Sequence, residues 1–264
     1  MQPRRINCGA PTSVEPAGVV QFLYQPENIM PYNQLSVRPF SYLFNIGMPF
    51  VCLVLLLIFP PHGLDLQVSQ LFWLNCEWVG QGHPVLEFFG HELIKAFPAV
   101  IAFFYLFLVF RAVRAGNSLE VHRSAFVITG LLVTLFAVWW LKRTTGVFCP
   151  WSTTPFGGEQ PILDPVLHFT RVRGNCWPAG HAGTGFGLFV LYFAWRDVSR
   201  QKALFWLGTA LLIGIFCSIL RVSQGAHFLS HTIASFLIDW TLAALLYALW
   251  LRPKEIRTRA AGRL

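Results

Sequence analysis

Residues 203–220 read ALFWLGTALLIGIFCSIL, and residues 221–231 continue RVSQGAHFLSH. The first of these stretches carries no charge, while the second opens on Arg221 and holds His227 and His231. A water-soluble core does not need an uncharged run of that length, whereas about 20 apolar residues are what a helix needs to cross the hydrocarbon layer of a bilayer. Five more runs of similar character occupy 39–60, 94–113, 124–141, 179–198 and 232–251. Backbone polar groups must be paired inside lipid, so these runs are predicted to be helices. Their continuous apolarity excludes the alternating strands of a membrane barrel. The expected fold class is therefore an all-α polytopic membrane protein with six transmembrane helices.

Composition agrees. Hydrophobic residues make up 55% of the chain and charged residues 12%, about half the charge of a typical soluble domain. The net charge of +8 could suggest nucleic acid, but its distribution argues for topology. Arg4, Arg5, Arg38, Arg111, Arg114, Arg123, Arg196, Arg200, Lys202, Arg252, Lys254, Arg257, Arg259 and Arg263 all fall on one side of a six-helix layout, and segment 61–94 on the other side has no Lys or Arg. Positive residues stay cytoplasmic, so both termini are expected there. No cationic stripe with stacking aromatics marks a nucleic-acid groove. The chain divides into a cytoplasmic tail at 1–38, a six-helix membrane domain at 39–251 and a basic cytoplasmic tail at 252–264. The first tail holds no apolar run of signal-peptide length.

Along the chain, Pro60-Pro61 stops the first helix. Segment 64–93 is too polar to cross and is expected to lie in the interface as one or two short helices. Trp139 and Trp140 read as interface anchors at the end of the third helix, with Trp151 a further belt member, and Lys142 and Arg143 follow. The loop 144–177 is long and rich in proline and glycine, a length more typical of functional loops. The fourth helix is predicted to begin at Pro178, since proline is tolerated in a first turn. Alternate helices would deliver Lys142, His181, Arg221 and His227 to one membrane face, the outer one.

Those residues suit phosphate chemistry. A neutral imidazole is nucleophilic near neutral pH and titrates where a general acid must. The planar fork of Arg221 can grip two phosphate oxygens, and Lys142 adds a compact charge. A helix start presents free amides and a positive dipole end to an anion. His227 and His231, four apart, would share a helix face.

The stretches Lys142-x6-Cys149-Pro150, Pro178-Ala179-Gly180-His181 and Leu220-Arg221-x5-His227-x3-His231 resemble, in spacing and order, the signature of the type-2 phosphatidic acid phosphatase superfamily. That signature is Lys-x6-Arg-Pro, Pro-Ser-Gly-His and Ser-Arg-x5-His-x3-Asp. The resemblance implies a lipid phosphatase with its active site at the outer membrane interface. Its substrate would be a phospholipid, a polyprenyl diphosphate or lipid A. In that scheme His227 attacks phosphorus and carries a phosphohistidine, His181 protonates the leaving alkoxide and then activates water, and His231 orients His227. Lys142, Gly180 and Arg221 hold the phosphoryl oxygens, with no metal and no cofactor. The implied location is a bacterial inner membrane with the site on the periplasmic side.

Four positions depart from the signature: Cys149 stands for Arg, Ala179 and Leu220 for Ser, and His231 for Asp. Arg143 reads as an anchor, while Arg171 or Arg173 could replace the missing cation. Cys149 and Cys176 form either a disulfide or two free thiols. His91, Glu92 and Lys95 read as an interfacial collar or as part of the route to the site. Two other functions fit the same residues: a phosphotransferase passing the group to a second lipid, and a non-catalytic protein binding anionic lipid. A metal site on His227 and His231 is a further alternative.

Overall fold

A computed structural model describes residues 39–82, 94–164 and 174–260. A π-helical turn, Leu43–Gly47, leads into α1, Met48–Ile58, and α2, His62–Gln70, follows at an angle of 84°. Pro60 and Pro61 occupy the corner, where they deprive a continuing helix of amide donors. A two-stranded hairpin comes next, β1 at Trp73–Leu74 and β2 at Glu77–Trp78. Then come α3, Ile94–Arg114, and α4, Ser118–Thr144; α5, Gly180–Phe186, and α6, Phe189–Trp195; α7, Arg200–Ser223; α8, Leu229–Leu246; and, after a π turn, α9, Arg252–Ala260.

Four stretches are long and apolar enough to cross a membrane: Ala96–Arg114, Ser118–Thr144, Arg200–Ser223 and Leu229–Arg257. The bent pair of α1 and α2 makes a fifth if it counts as one span. The fourth expected helix, 179–198, is not one rod but two seven-residue helices, α5 and α6. It also begins at Gly180, with Ala179 as extended N-cap and Pro178 outside the helix. Four glycines between 180 and 187 weaken helix propensity there.

The run is apolar because protein surrounds it. Leu188, Phe189, Val190, Leu191 and Phe193 are wholly buried and form the centre of the main core. A helix that is hydrophobic on all sides is a core helix whenever other helices enclose it. Close crossing depends on small residues. A Cβ added at Gly185 would lie 2.5 Å from the Gly214 nitrogen of α7.

Two of the helices begin at N-cap side chains. Asn117 accepts from the Glu120 amide at the start of α4, and Ser199 accepts from the Lys202 amide at the start of α7. Such caps contribute about 1 kcal/mol each. At this end of the bundle Arg123 binds Glu120 and Glu255 at 2.6 and 3.3 Å. Arg196 and Tyr247 approach Asp197 nearby.

Candidate functional site

At the opposite end four segments meet. The first is the end of α4. Thr145 follows it, and its hydroxyl donates to the Leu141 carbonyl at 2.9 Å and to the Trp177 carbonyl at 2.8 Å. The helix end is thereby tied to the chain leading into α5. This juxtaposition lays Lys142 over Gly180: a Cβ there would meet its Nζ at 3.7 Å.

The start of α5 is in turn stitched to α8. The Ala179 amide donates to the His231 carbonyl at 3.1 Å, and the Ala179 carbonyl accepts from Ser235 Oγ at 2.9 Å. His181, the second residue of α5, is buried as a result.

The third segment is the turn between α7 and α8. Arg221 Nη1 donates to Gln224 Oε1 at 2.7 Å, and its guanidinium lies 6.0 Å from the centre of the Trp151 ring. Gly225 takes φ +68° with the Trp78 indole directly against it, a backbone that only glycine adopts without strain and with no room for a side chain. Two residues later, His227 is almost wholly buried. It precedes α8, which begins at Leu229, so the histidine pair does not share a helix face as the spacing alone predicts. The rings still lie 5.9 Å apart at 68°.

The fourth segment consists of the described residues 147–164 and 174–177. Cys149 and Cys176 are joined in a disulfide, with Cα atoms 5.2 Å apart. The Cys176 carbonyl accepts from His227 Nδ1 at 2.8 Å. A carbonyl can only accept, so this bond places the ring proton on Nδ1 and leaves the Nε2 lone pair available. The Nδ1 partner of His227 is thus the backbone oxygen of a disulfide-bonded residue.

Burial pushes the His227 imidazole well below its ordinary range, and Lys142, His231, Arg221 and His181 push the same way. Among the residues singled out from the sequence, Lys142 lies over Gly180, the residue before Gly180 is bonded to the His231 carbonyl, and the His231 ring is 5.9 Å from that of His227. Arg143 does not join them; its guanidinium lies 5.0 Å from the Trp139 ring, as an anchor would. His91, Glu92, Arg171 and Arg173, and the side chain of Lys95, lie outside the described residues.

Ligand atoms of Cys176, His227 and His231 lie within 4.8 Å of one another. Zinc needs a thiolate from cysteine, and the Cys176 sulfur is bonded to Cys149 instead. Two cations acting on the same imidazole further disfavour a metal ion there.

Sequence reading missed Asp65. Its carboxylate, buried on α2, accepts from both the amide and the hydroxyl of Ser230 in the first turn of α8. It caps that helix from a distance of 165 residues, and no local pattern announces a cap supplied from so far away.

A family model described as the PAP2 superfamily matches residues 123–255, half of the chain, and the chain belongs to that family. Among curated proteins it is similar to the lipid A 4'-phosphatase of Francisella tularensis subsp. novicida (strain U112). The two are 25% identical over 227 residues, which cover 82% of this chain and 98% of that relative. No solved structure matches.

Proposed function

We propose that the protein is a membrane lipid phosphatase that works through a phosphohistidine on His227. The observation that carries this reading is the Nδ1 bond to the Cys176 carbonyl, which leaves Nε2 as the nucleophilic atom amid Lys142, Arg221 and His181. Nε2 attacks phosphorus in line with the leaving oxygen, and the ester bond breaks as the phosphorus–nitrogen bond forms. His181 gives its proton to the departing alkoxide. It then takes a proton from the water that cleaves the phosphohistidine, releasing inorganic phosphate and returning both imidazoles to their starting state.

Lys142, Arg221 and the Gly180 amide stabilise the charge on the phosphoryl oxygens. Preorganised cations of this kind do the electrostatic work for which other phosphatases use a metal ion. The disulfide takes over a structural task at the position where the family signature has Arg, and its carbonyl replaces the carboxylate that His231 displaces. The reaction needs no cofactor under this scheme.

The membrane setting is part of the proposal. The chain crosses six times, with α5 and α6 together as the inner, broken crossing. At about 1.5 Å per residue, Gly180–Trp195 is about 24 Å long, short of a ~30 Å hydrocarbon layer. Neighbouring helices shield it, so it need not meet lipid along its length. Both termini are cytoplasmic by the lysine and arginine distribution, and the site faces the periplasm of an inner membrane. The substrate is a phosphorylated lipid, and the reaction named for the Francisella relative makes lipid A the first to try.

The test is phosphate release by purified protein from lipid A, phosphatidic acid and a polyprenyl diphosphate. His227→Ala is expected to lose at least about 10³-fold in turnover while expressing normally. Undiminished turnover would remove His227 as nucleophile.

A further inference from the structure

Beside the phosphate site lies a cavity of about 570 Å³. Its lining includes Trp73, Trp78, Trp151 and Phe156 together with Glu77 and Gln81. We propose that it is a saccharide subsite, so that the phosphate is removed from a sugar ring of a glycolipid rather than from a glycerol. The proposal rests on the phosphatase reading above and narrows its substrate class.

The hairpin builds the first wall. Asn75 and Cys76 take φ of 53° and 65° in its turn, and Trp73 pairs across the strands with Trp78. Their ring centres are 5.2 Å apart, and Phe156 lies 4.9 Å from Trp78 and 6.0 Å from Trp73. Trp78 and Phe156 are buried in this cluster, whereas Trp151 stays 40% exposed.

The wall is fixed to the phosphate site by backbone bonds. The Gly80 amide donates to the Ser223 carbonyl at 3.1 Å and the Trp151 amide to the Gly225 carbonyl at 3.0 Å. Trp151 belongs to both places, since it lines the cavity while its ring sits 6.0 Å from the Arg221 guanidinium. A phosphate esterified directly to a sugar puts the ring next to the phosphoryl group, which is the relation these two sites have.

The chemistry of the lining selects among headgroups. A pyranose has two faces of C–H groups and a rim of hydroxyls. Aromatic planes suit the faces, and a carboxylate with an amide suits the rim. The lining includes Glu77 and no Lys or Arg among the described residues, so a second phosphate is disfavoured there. An ammonium headgroup would need separate rings around one point, but three of the four rings pack on one another as a single wall. The volume of the cavity falls within the ~300–1,000 Å³ range of ligand sites.

The experiment compares full-length protein with Glu77→Gln and Trp73→Leu in detergent. Glu77 is exposed, so its amide replacement leaves the fold intact. The quantity read is the ratio of kcat/KM on lipid A to kcat/KM on phosphatidic acid. This ratio is expected to fall about fivefold to tenfold in each variant. An unchanged ratio, including equal losses on both lipids, would overturn the subsite. So would a parent protein that hydrolyses phosphatidic acid but not lipid A, and that result would leave the phosphatase reading standing.

A second readout does not depend on turnover. The deacylated, phosphorylated disaccharide of lipid A should quench tryptophan fluorescence of the parent saturably, and do so less in Glu77→Gln. Absence of saturable quenching, or equal quenching by phosphocholine, would overturn the proposal even if no lipid is hydrolysed. Saturable quenching by the disaccharide with no phosphate release from any lipid would support the subsite and sink the phosphatase reading instead.

Discussion

At one end of the bundle Arg123 lies between Glu120 and Glu255, and Arg196 sits beside Asp197. At the other end Lys142 lies over Gly180, Arg221 holds Gln224, and the His231 ring is 5.9 Å from a buried His227. The same helices supply both ends: α4 runs from Arg123 to Lys142, and α7 from Arg200 to Arg221. In the first cluster each guanidinium meets a carboxylate, and the product is a fixed joint between helices. In the second, positive charge is concentrated on a neutral imidazole. A buried carboxylate of that end, Asp65, is bonded to Ser230 instead. A matched cluster holds structure, whereas in the proposed phosphatase the second cluster would hold the substrate's phosphate.

The comparison breaks most severely at the matched end. Removing one member of a buried pair leaves the other charge stranded, at a cost of about 3–5 kcal/mol. Glu255→Gln is therefore expected to lower the melting temperature in detergent sharply, with turnover per folded molecule unchanged. A large fall in turnover at unchanged melting temperature would mean that the two ends are not separate in function.

The excess-charge end gives the opposite pattern. Arg221→Gln is expected to cost about 10²-fold in kcat/KM, with little change in melting temperature, and Arg221→Lys to recover part of it. Steady-state kinetics beside thermal unfolding separates the two outcomes.

The smallest effect concerns pH. His227 is held neutral by burial and by the neighbouring cations, so its folded pKa is lowered. Below about pH 6.5 the unfolded imidazole takes up a proton that the folded one does not. Its contribution to stability is thus complete above about pH 6.5 and falls by about 1.4 kcal/mol per unit below it. Thermal unfolding of parent and His227→Gln across pH 5–8 is expected to diverge in slope below 6.5 and run parallel above. Parallel curves throughout would show that the imidazole is not held neutral.

Much of the molecule was legible beforehand, and the failures have identifiable causes. The apolar runs at 94–113, 124–141 and 203–220 correspond to α3, α4 and α7 because lipid-facing helices must be apolar along most of their length. The run at 179–198 gave the same signal for a different reason. It is enclosed by protein, and composition does not distinguish a helix wrapped in lipid from one wrapped in other helices. Spacing within Lys142…Pro150, Pro178…His181 and Arg221…His231 pointed to a shared site. It could not show that His227 lies before its helix, nor that a carbonyl fixes its tautomer.

By itself the sequence determined the class of fold, the helices with a uniform solvent along their length and the identity of the charged and imidazole groups, since these follow from residue type and local period. Tertiary structure decided which atom orients His227, which carboxylate caps α8 and which aromatic rings share a wall. Those contacts join residues up to 165 positions apart, and they depend on how helices cross rather than on anything a short window of sequence contains.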